Sequence, residues 1–279
     1  MTERGVWPTV RRRALFWLPV AVLAVLVLLA AFPGLFSSVD PRACDLSASA
    51  RPPSSGHPFG QDLQGCDVYA NVVYGARASL SIGLLSTLIA LGIAVVVGTL
   101  AGYAGGWVDS VLGRLTDVFL AFPFLLGAIV VLNSLGRQSV LAVALVLAVF
   151  SWPVLARMVR TMVRASRDAE YVQAARAMGF PIRRILAHHV LPNAIGPVLA
   201  LATLTVGGVI VAESTLTFLG LGLRTPSVSW GLQLATAQSR FQQAPHTLVY
   251  PGVFLAITVL SLITLGDVLR DAVNPKERS

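Results

Sequence analysis

EYVQAARAMGFPIRRILAHHVLPN, residues Glu170 to Asn193, is a basic, helix-prone segment set between long apolar runs. Upstream lies Gln138 to Ala156, and downstream Ile185 to Ala212, neither holding an Asp, Glu, Lys or Arg. Further out, equally uncharged runs cover Ala14 to Val39, Ala78 to Val108, Val118 to Gly136 and Phe241 to Gly266. Each reaches or exceeds the roughly 20 residues that cross a bilayer as helix. Across all 279 residues, 55% are hydrophobic and only 12% charged, with mean hydropathy +0.75; soluble domains carry about 25% charged residues. Membrane strands would alternate apolar and polar over about ten residues, whereas Ile89 to Leu100, IALGIAVVVGTL, is apolar on every side. The expected fold is an all-α integral membrane protein of six transmembrane helices, and the opening segment is the charged connector between the fourth and fifth.

Arginine placement sets the expected orientation, because cytoplasmic loops are enriched in Lys and Arg. One side holds Arg4, Arg11, Arg12, Arg13, Arg114, Arg157, Arg160, Arg164, Arg167, Arg176, Arg183, Arg184, Arg270, Lys276 and Arg278. The other keeps Arg42, Arg51, Arg77, Arg137, Arg224 and Arg240. Both termini are therefore expected in the cytoplasm of a bacterial cell, with the chain multi-pass in its inner (plasma) membrane. The expected divisions are a cytoplasmic N-terminus (1–13), a first transmembrane helix (14–36), an extracytoplasmic segment (37–77), a core of five transmembrane helices (78–270) and a cytoplasmic tail (271–279). Within the core, 157–193 is the connector. The net charge of +8 reads as topogenic, and nucleic acid is not an expected partner, since no soluble domain offers a basic face. Membrane lipid is. The apolar run after Arg13 is longer than the roughly 7 to 15 residues of a cleaved signal, so a retained helix is expected.

Within the connector, Gly179 can supply the left-handed conformation that ends a helix, and Pro181 blocks continuation. One helix is expected to stop near Met178, a second short stretch to run from Ile182 to Val190, and Pro192 to turn the chain into the fifth span. Both cysteines, Cys44 and Cys66, lie in the first outer segment. A disulfide there is compatible with an extracytoplasmic compartment; two separate thiols are the alternative. They and His57 offer too few ligands for a structural metal site, and none is expected.

The connector resembles the coupling loop of binding-protein-dependent ABC importer permeases, whose signature is Glu-Ala-Ala, three residues, Gly, nine residues, Ile, one residue, Leu-Pro. Ala174, Ala175, Gly179, Leu191 and Pro192 fall on it at the required spacing, while Gln173 stands for Glu and His189 for Ile. Glu170 supplies a carboxylate one helical turn before Gln173. His57 to Gly83, HPFGQDLQGCDVYANVVYGARASLSIG, is similar to the approach to the second span in the dipeptide and oligopeptide branch, with Cys66 where Arg is common. Gly102 to Pro123, Glu213 to Gly222 and Ser229-Trp230-Gly231 continue the likeness.

The resemblance implies a type I importer permease fold with a cytoplasmic coupling helix between helices 4 and 5. It implies a second permease subunit, a related but different chain, and cytoplasmic ATPase subunits that bind ATP and Mg. An extracytoplasmic binding protein would deliver di- or oligopeptides. Glu170, Gln173, Ala174, Ala175, Arg176, Ala177, Gly179, Leu191 and Pro192 would meet the ATPase, the small residues allowing close backbone approach. The chain has no GxxxxGK[ST] phosphate loop, and its one lysine is Lys276. No cofactor, catalytic residue or enzymatic activity is expected in it. Glu213 is a candidate for the pathway, since carboxylates in spans are functional candidates; Asp117 and Asp267 are weaker ones. His188 and His189, adjacent on a helix, point about 100° apart and do not form a metal site. The glycines of the second span are expected to serve close packing. A nickel complex or glutathione is the alternative cargo, and an ion-coupled secondary carrier the alternative mechanism, although the mid-span positions lack the charged sites such carriers use.

Overall fold

The computed structural model describes residues 14–136 and 138–273. The outermost segments, 1–13 and 274–279, lie outside the described residues, as does Arg137, so the charges that sequence placed there are not located. Nine helices organise the rest: α1 Ala14–Ala31, α2 Val68–Ala104, α3 Gly106–Ala121, α4 Phe124–Leu135, α5 Val140–Arg167, α6 Glu170–Ala177, α7 Ile182–Phe218, α8 Trp230–Ala237 and α9 His246–Val273. Two isolated bridges, Ser54 with His57 and Gln61 with Asp67, are the β pairing among the described residues.

Four helices, α2, α5, α7 and α9, are long and apolar enough to cross a membrane. Two of the six expected spans depart from a single long helix. The third expected span is a pair, α3 and α4, bent by 83°. Pro123 disfavours helical backbone at the residue before it, and Phe122 is extended at φ −78° and ψ 128°. At the N-terminus, α1 stops at Ala31 rather than residue 36, because Phe32 leaves helical geometry before Pro33 opens a separate short turn to Phe36. Its 18 residues rise about 27 Å at ~1.5 Å each, just under the ~30 Å apolar core.

The second helix also begins early, at Val68 rather than Ala78. Asp67 caps it, its Oδ1 accepting the Ala70 N–H at 2.6 Å. Arg77, which marked the expected boundary, donates instead to the carbonyls of Ala30 at 2.9 Å and Ala31 at 2.8 Å, closing the end of α1. At the other terminus α9 continues through Val273, so residues 271–273 are helix and not tail.

The core is the pair α2 and α5, which run parallel in constant register. Ser86 Oγ donates to the Ala144 carbonyl at 3.0 Å. A Cβ on Gly98 would stand 2.7 Å from the Ala156 oxygen, and one on Gly102 2.6 Å from that of Arg160. Small residues at Ser86, Ala90, Ala94, Gly98 and Gly102, one every four positions, bring the backbones together; in lipid such close packing replaces the hydrophobic drive. An adjoining face of α2 receives α7, where Gly83 leaves room for Ile210. Helix α9 packs antiparallel on α7, with Gly266 against Leu204. Gly92 faces open space and serves no such contact. The bundle thus has two ends, one carrying the Cys44 and Cys66 loop and the other the connector arginines.

Candidate coupling surface

At the arginine-rich end, α6 lies across the ends of α5 and α7. Val172 and Ala175, one turn apart, are buried against Val159, Val163, Ile185, Val190 and Val198. Glu170, Gln173, Ala174, Arg176, Ala177 and Gly179 are exposed. This divides the signature: Ala175, expected on the docking face, is 1% exposed and belongs to the chain's own core. Its small size lets α6 lie close to α5. The exposed remainder, flanked by Tyr171, Met178 and Ile182, forms the outward face.

Helix α6 ends in a Schellman motif. Gly179 has φ +76°, its N–H donates to the Arg176 carbonyl at 2.9 Å, and the Phe180 N–H to that of Ala175 at 3.1 Å. A Cβ at Gly179 would meet nothing within 4 Å, so the requirement is conformational and the space outside it is free. Acidic Glu170 in the first turn and basic Arg176 in the last both suit the helix dipole. Arg176 also lies over the Tyr103 ring at 5.1 Å, tying α6 to the end of α2. Gln173 donates to the Asp168 carbonyl at 3.1 Å.

The expected second short stretch is continuous with the fifth span. Pro192 has no N–H to continue an α-helical ladder, and a π turn over Leu186–Val190 precedes it, with the Leu191 N–H reaching back to the Leu186 carbonyl. The extra residue lets the helix pass through the proline. Asn193 then covers the His189 carbonyl at 2.6 Å. Leu191 is half-buried and Pro192 exposed. The rings of Phe180 and His189 lie parallel, with Arg184 over Phe180 at 4.5 Å, and His188 Nδ1 lies 3.3 Å from the Arg184 carbonyl.

Sequence reasoning missed the ion pairs that join α3 to α5. Arg160 engages Asp109 through two nitrogens, Nη2 at 2.7 Å, and Arg157 meets Asp117 at 2.6 Å. Asp117 therefore sits in an exposed pair, and Asp267 is exposed.

At the opposite end, the structure joins Cys44 to Cys66 in a disulfide. The His-Pro-Phe-Gly run acquires a physical role there. His57 Nδ1 lies 2.6 Å from Asp67, the cap of α2, Phe59 stacks on Tyr250 at 3.9 Å, and Gly60, with φ +75°, leaves room for His246. Asp62 accepts the N–H groups of Gln64 and Cys66; burial nevertheless pushes its carboxyl above the usual range. Asp45 is held below that range by the Ser47 hydroxyl and N–H.

Glu213 is fully buried. Thr217 donates to it at 2.9 Å and Ser214 at 3.3 Å, and the Ser229 and Ser79 hydroxyls also reach it. Three of these hydroxyls accept backbone N–H groups in turn: Thr217 from Leu223, Ser79 from Trp230 and Ser229 from Leu232. The carboxyl so ties α2, α7 and α8 together, and explains why the Glu213 to Gly222 and Ser229 to Gly231 stretches go together. Gly231 permits the approach, since a Cβ there would lie 2.7 Å from Ser214 Cα.

Residues 94–279 match the family described as binding-protein-dependent transport system inner membrane component. The dipeptide transport system permease protein DppC of Alkalihalophilus pseudofirmus is 35% identical over 276 residues, covering 99% of this chain and 90% of its own. The oligopeptide transport system permease protein OppC of Escherichia coli (strain K12) is 36% identical over 281 residues, covering 99% and 93%. The glutathione transport system permease protein GsiD of Pectobacterium atrosepticum is 37% identical over 227 residues, covering 81% and 75%. Among solved structures, the inward-facing MetNI methionine ABC transporter superposes with TM-score 0.61 at 21% identity, covering 73% of this chain and 96% of its own. An amino acid ABC transporter reaches 0.56 at 16%, covering 72% and 93%. At these identities the superpositions speak for the fold.

Proposed function

Because this chain belongs to the binding-protein-dependent transport system inner membrane components, we propose that it forms, with a second and related permease chain, the membrane pathway of an ATP-driven importer for di- or oligopeptides. An extracytoplasmic binding protein delivers the cargo to the disulfide-bearing end, and cytoplasmic ATPase subunits engage the arginine-rich end. ATP and Mg are held by those subunits; this permease hydrolyses nothing.

The observation that carries the reading is the two-sidedness of α6. One face is fixed to α5 and α7 by Val172 and Ala175, while Glu170, Gln173, Ala174, Ala177 and Gly179 remain uncovered. A helix so held transfers a push from a partner to the long helices. An ion-coupled carrier has no use for such a face. The cargo follows the relatives named for dipeptide and oligopeptide transport; the relative named for glutathione transport keeps that tripeptide as the second candidate.

Gly179→Val tests the mechanism. A β-branched residue opposes φ of +76° by about 1–2 kcal/mol and thickens the exposed face, leaving the spans untouched. The variant should reach the membrane, co-purify less with the ATPase subunits and import at least about tenfold more slowly, the scale of such a loss at an interface. Normal co-purification and import by this variant would falsify coupling through α6.

A further inference from the structure

Between the loop at Asp40 to Arg42, α2, the start of α5 and the loop before α8, at the disulfide-bearing end, lies a cavity of about 530 Å³. Its polar wall is rich in donors. The Arg42 guanidinium has no hydrogen-bond or ion-pair partner among the described residues, and Arg77 spends Nε and one Nη2 hydrogen on the α1 carbonyls, leaving its other hydrogens free. The hydroxyls of Ser81 and Ser227, also in the lining, have no hydrogen-bond partner among the described residues. One carboxylate, Asp40, faces them, with Oδ1 already accepting the Arg42 backbone N–H at 2.9 Å. The cavity also reaches Val140, the first residue of the 28-residue helix α5; Ser139 caps the Ala142 N–H there, and the positive dipole end of the helix favours an anion.

Two guanidinium groups against one carboxylate, with a helix N-terminus between, make an anion receptor. Its volume falls in the range of about 300–1,000 Å³ that holds organic ligands, far more than a bare inorganic ion needs. The guanidinium fork matches a carboxylate through two parallel hydrogen bonds. We infer that this cavity receives the C-terminal carboxylate of a short peptide as it enters the pathway. The inference rests on the peptide-import reading above, and gives the permease a preference of its own for a free carboxyl terminus, separate from any choice made by the binding protein.

The test is import into proteoliposomes holding the assembled transporter, with binding protein saturated either by a tripeptide or by its C-terminal amide. Wild type should import the acid about tenfold faster, the worth of one charge-assisted hydrogen bond. Arg42→Ala should bring the ratio close to one, and Arg42→Lys, which keeps charge but not the fork, should fall between. Arg240→Ala, at the same end but outside the cavity, should keep the wild-type ratio. Because the Arg42 side chain makes no internal bond, loss of folding is not expected; Ser227→Ala provides a second variant that should lower the ratio. Equal import of acid and amide by wild type overturns the carboxylate site while leaving peptide import standing, as does an Arg42→Ala variant that slows both equally. If neither peptide is imported while the ATPases cycle normally, the cargo reading falls and takes the site with it.

Discussion

Arg77 entered the sequence reading as a charge that delimits a span, yet its guanidinium closes another helix 46 and 47 positions away. Counting charges registers sign and position only, so the partner was invisible. Arg77→Met should cost about 1–3 kcal/mol, the loss of hydrogen bonds from a charged donor to carbonyls, and lower the thermal midpoint of the detergent-solubilised protein. Asp62 offers a pH test. Its carboxyl is raised above the ordinary value by burial, so the folded state holds the proton more tightly than the unfolded state does. The resulting penalty is absent below the ordinary carboxylate pKa and fully present above the raised one. Asp62→Asn keeps an acceptor for Gln64 and Cys66 and removes the charge. At neutral pH it should therefore match or exceed wild type in resistance of the 44–66 loop to proteolysis, and the advantage should vanish as pH falls through the carboxylate range. A variant less stable than wild type at neutral pH would contradict this balance.

Among the elements, α6 shows how far local pattern reaches. Gly179 and Pro181 disclosed where the helix ends, because that depends on backbone conformation encoded in adjacent residues. They did not disclose which way Ala175 points, because that depends on Val159, Val163 and Ile185, distant in sequence. The same division separates Glu213 from its partners. Its place in an apolar span was evident, but Ser79 and Ser229 come from other elements, so the tether they make with it was not. Glu213→Ala should leave its hydroxyl donors unpaired and a void behind, at about 2–4 kcal/mol. Faster hydrogen exchange in α8 than in α9 would report it, whereas unchanged exchange would show that Trp230 and Gln233, which donate to the Val72 and Asn71 carbonyls, hold α8 without it. The disulfide closes a separation of 22 residues and should contribute about 3 kcal/mol in the chain-entropy picture. Non-reducing mass spectrometry should recover the Cys44 and Cys66 peptides joined, and Cys44→Ser should loosen the loop without displacing α2, which Asp67 caps independently.

For the molecule as a whole, composition and uninterrupted apolar runs disclosed an all-helical membrane protein, because the bilayer admits few other solutions. They did not disclose the bend between α3 and α4, since a run without charges looks the same whether its helix is straight or broken. Nor did they show that α2 and α5 run side by side in one direction. Ser86 with Ala144, Gly98 with Ala156 and Gly102 with Arg160 hold a single offset of 58 residues. This register has a consequence for how such a chain can change over generations. The pairing itself does not measure the stretch joining the two helices, which is tied to α5 instead by Asp109 with Arg160 and Asp117 with Arg157. Within either helix, removal of one residue turns everything beyond it by about 100°. A deletion at Gly92, where no contact is lost directly, should therefore bring Thr99 and Tyr103 into the places of Gly98 and Gly102, against the Ala156 and Arg160 carbonyls, and abolish stable accumulation, whereas Gly92→Ala should pass unnoticed. A position off the packed stripe, such as Gly92, can change alone; the length of the core is inherited as one fixed quantity.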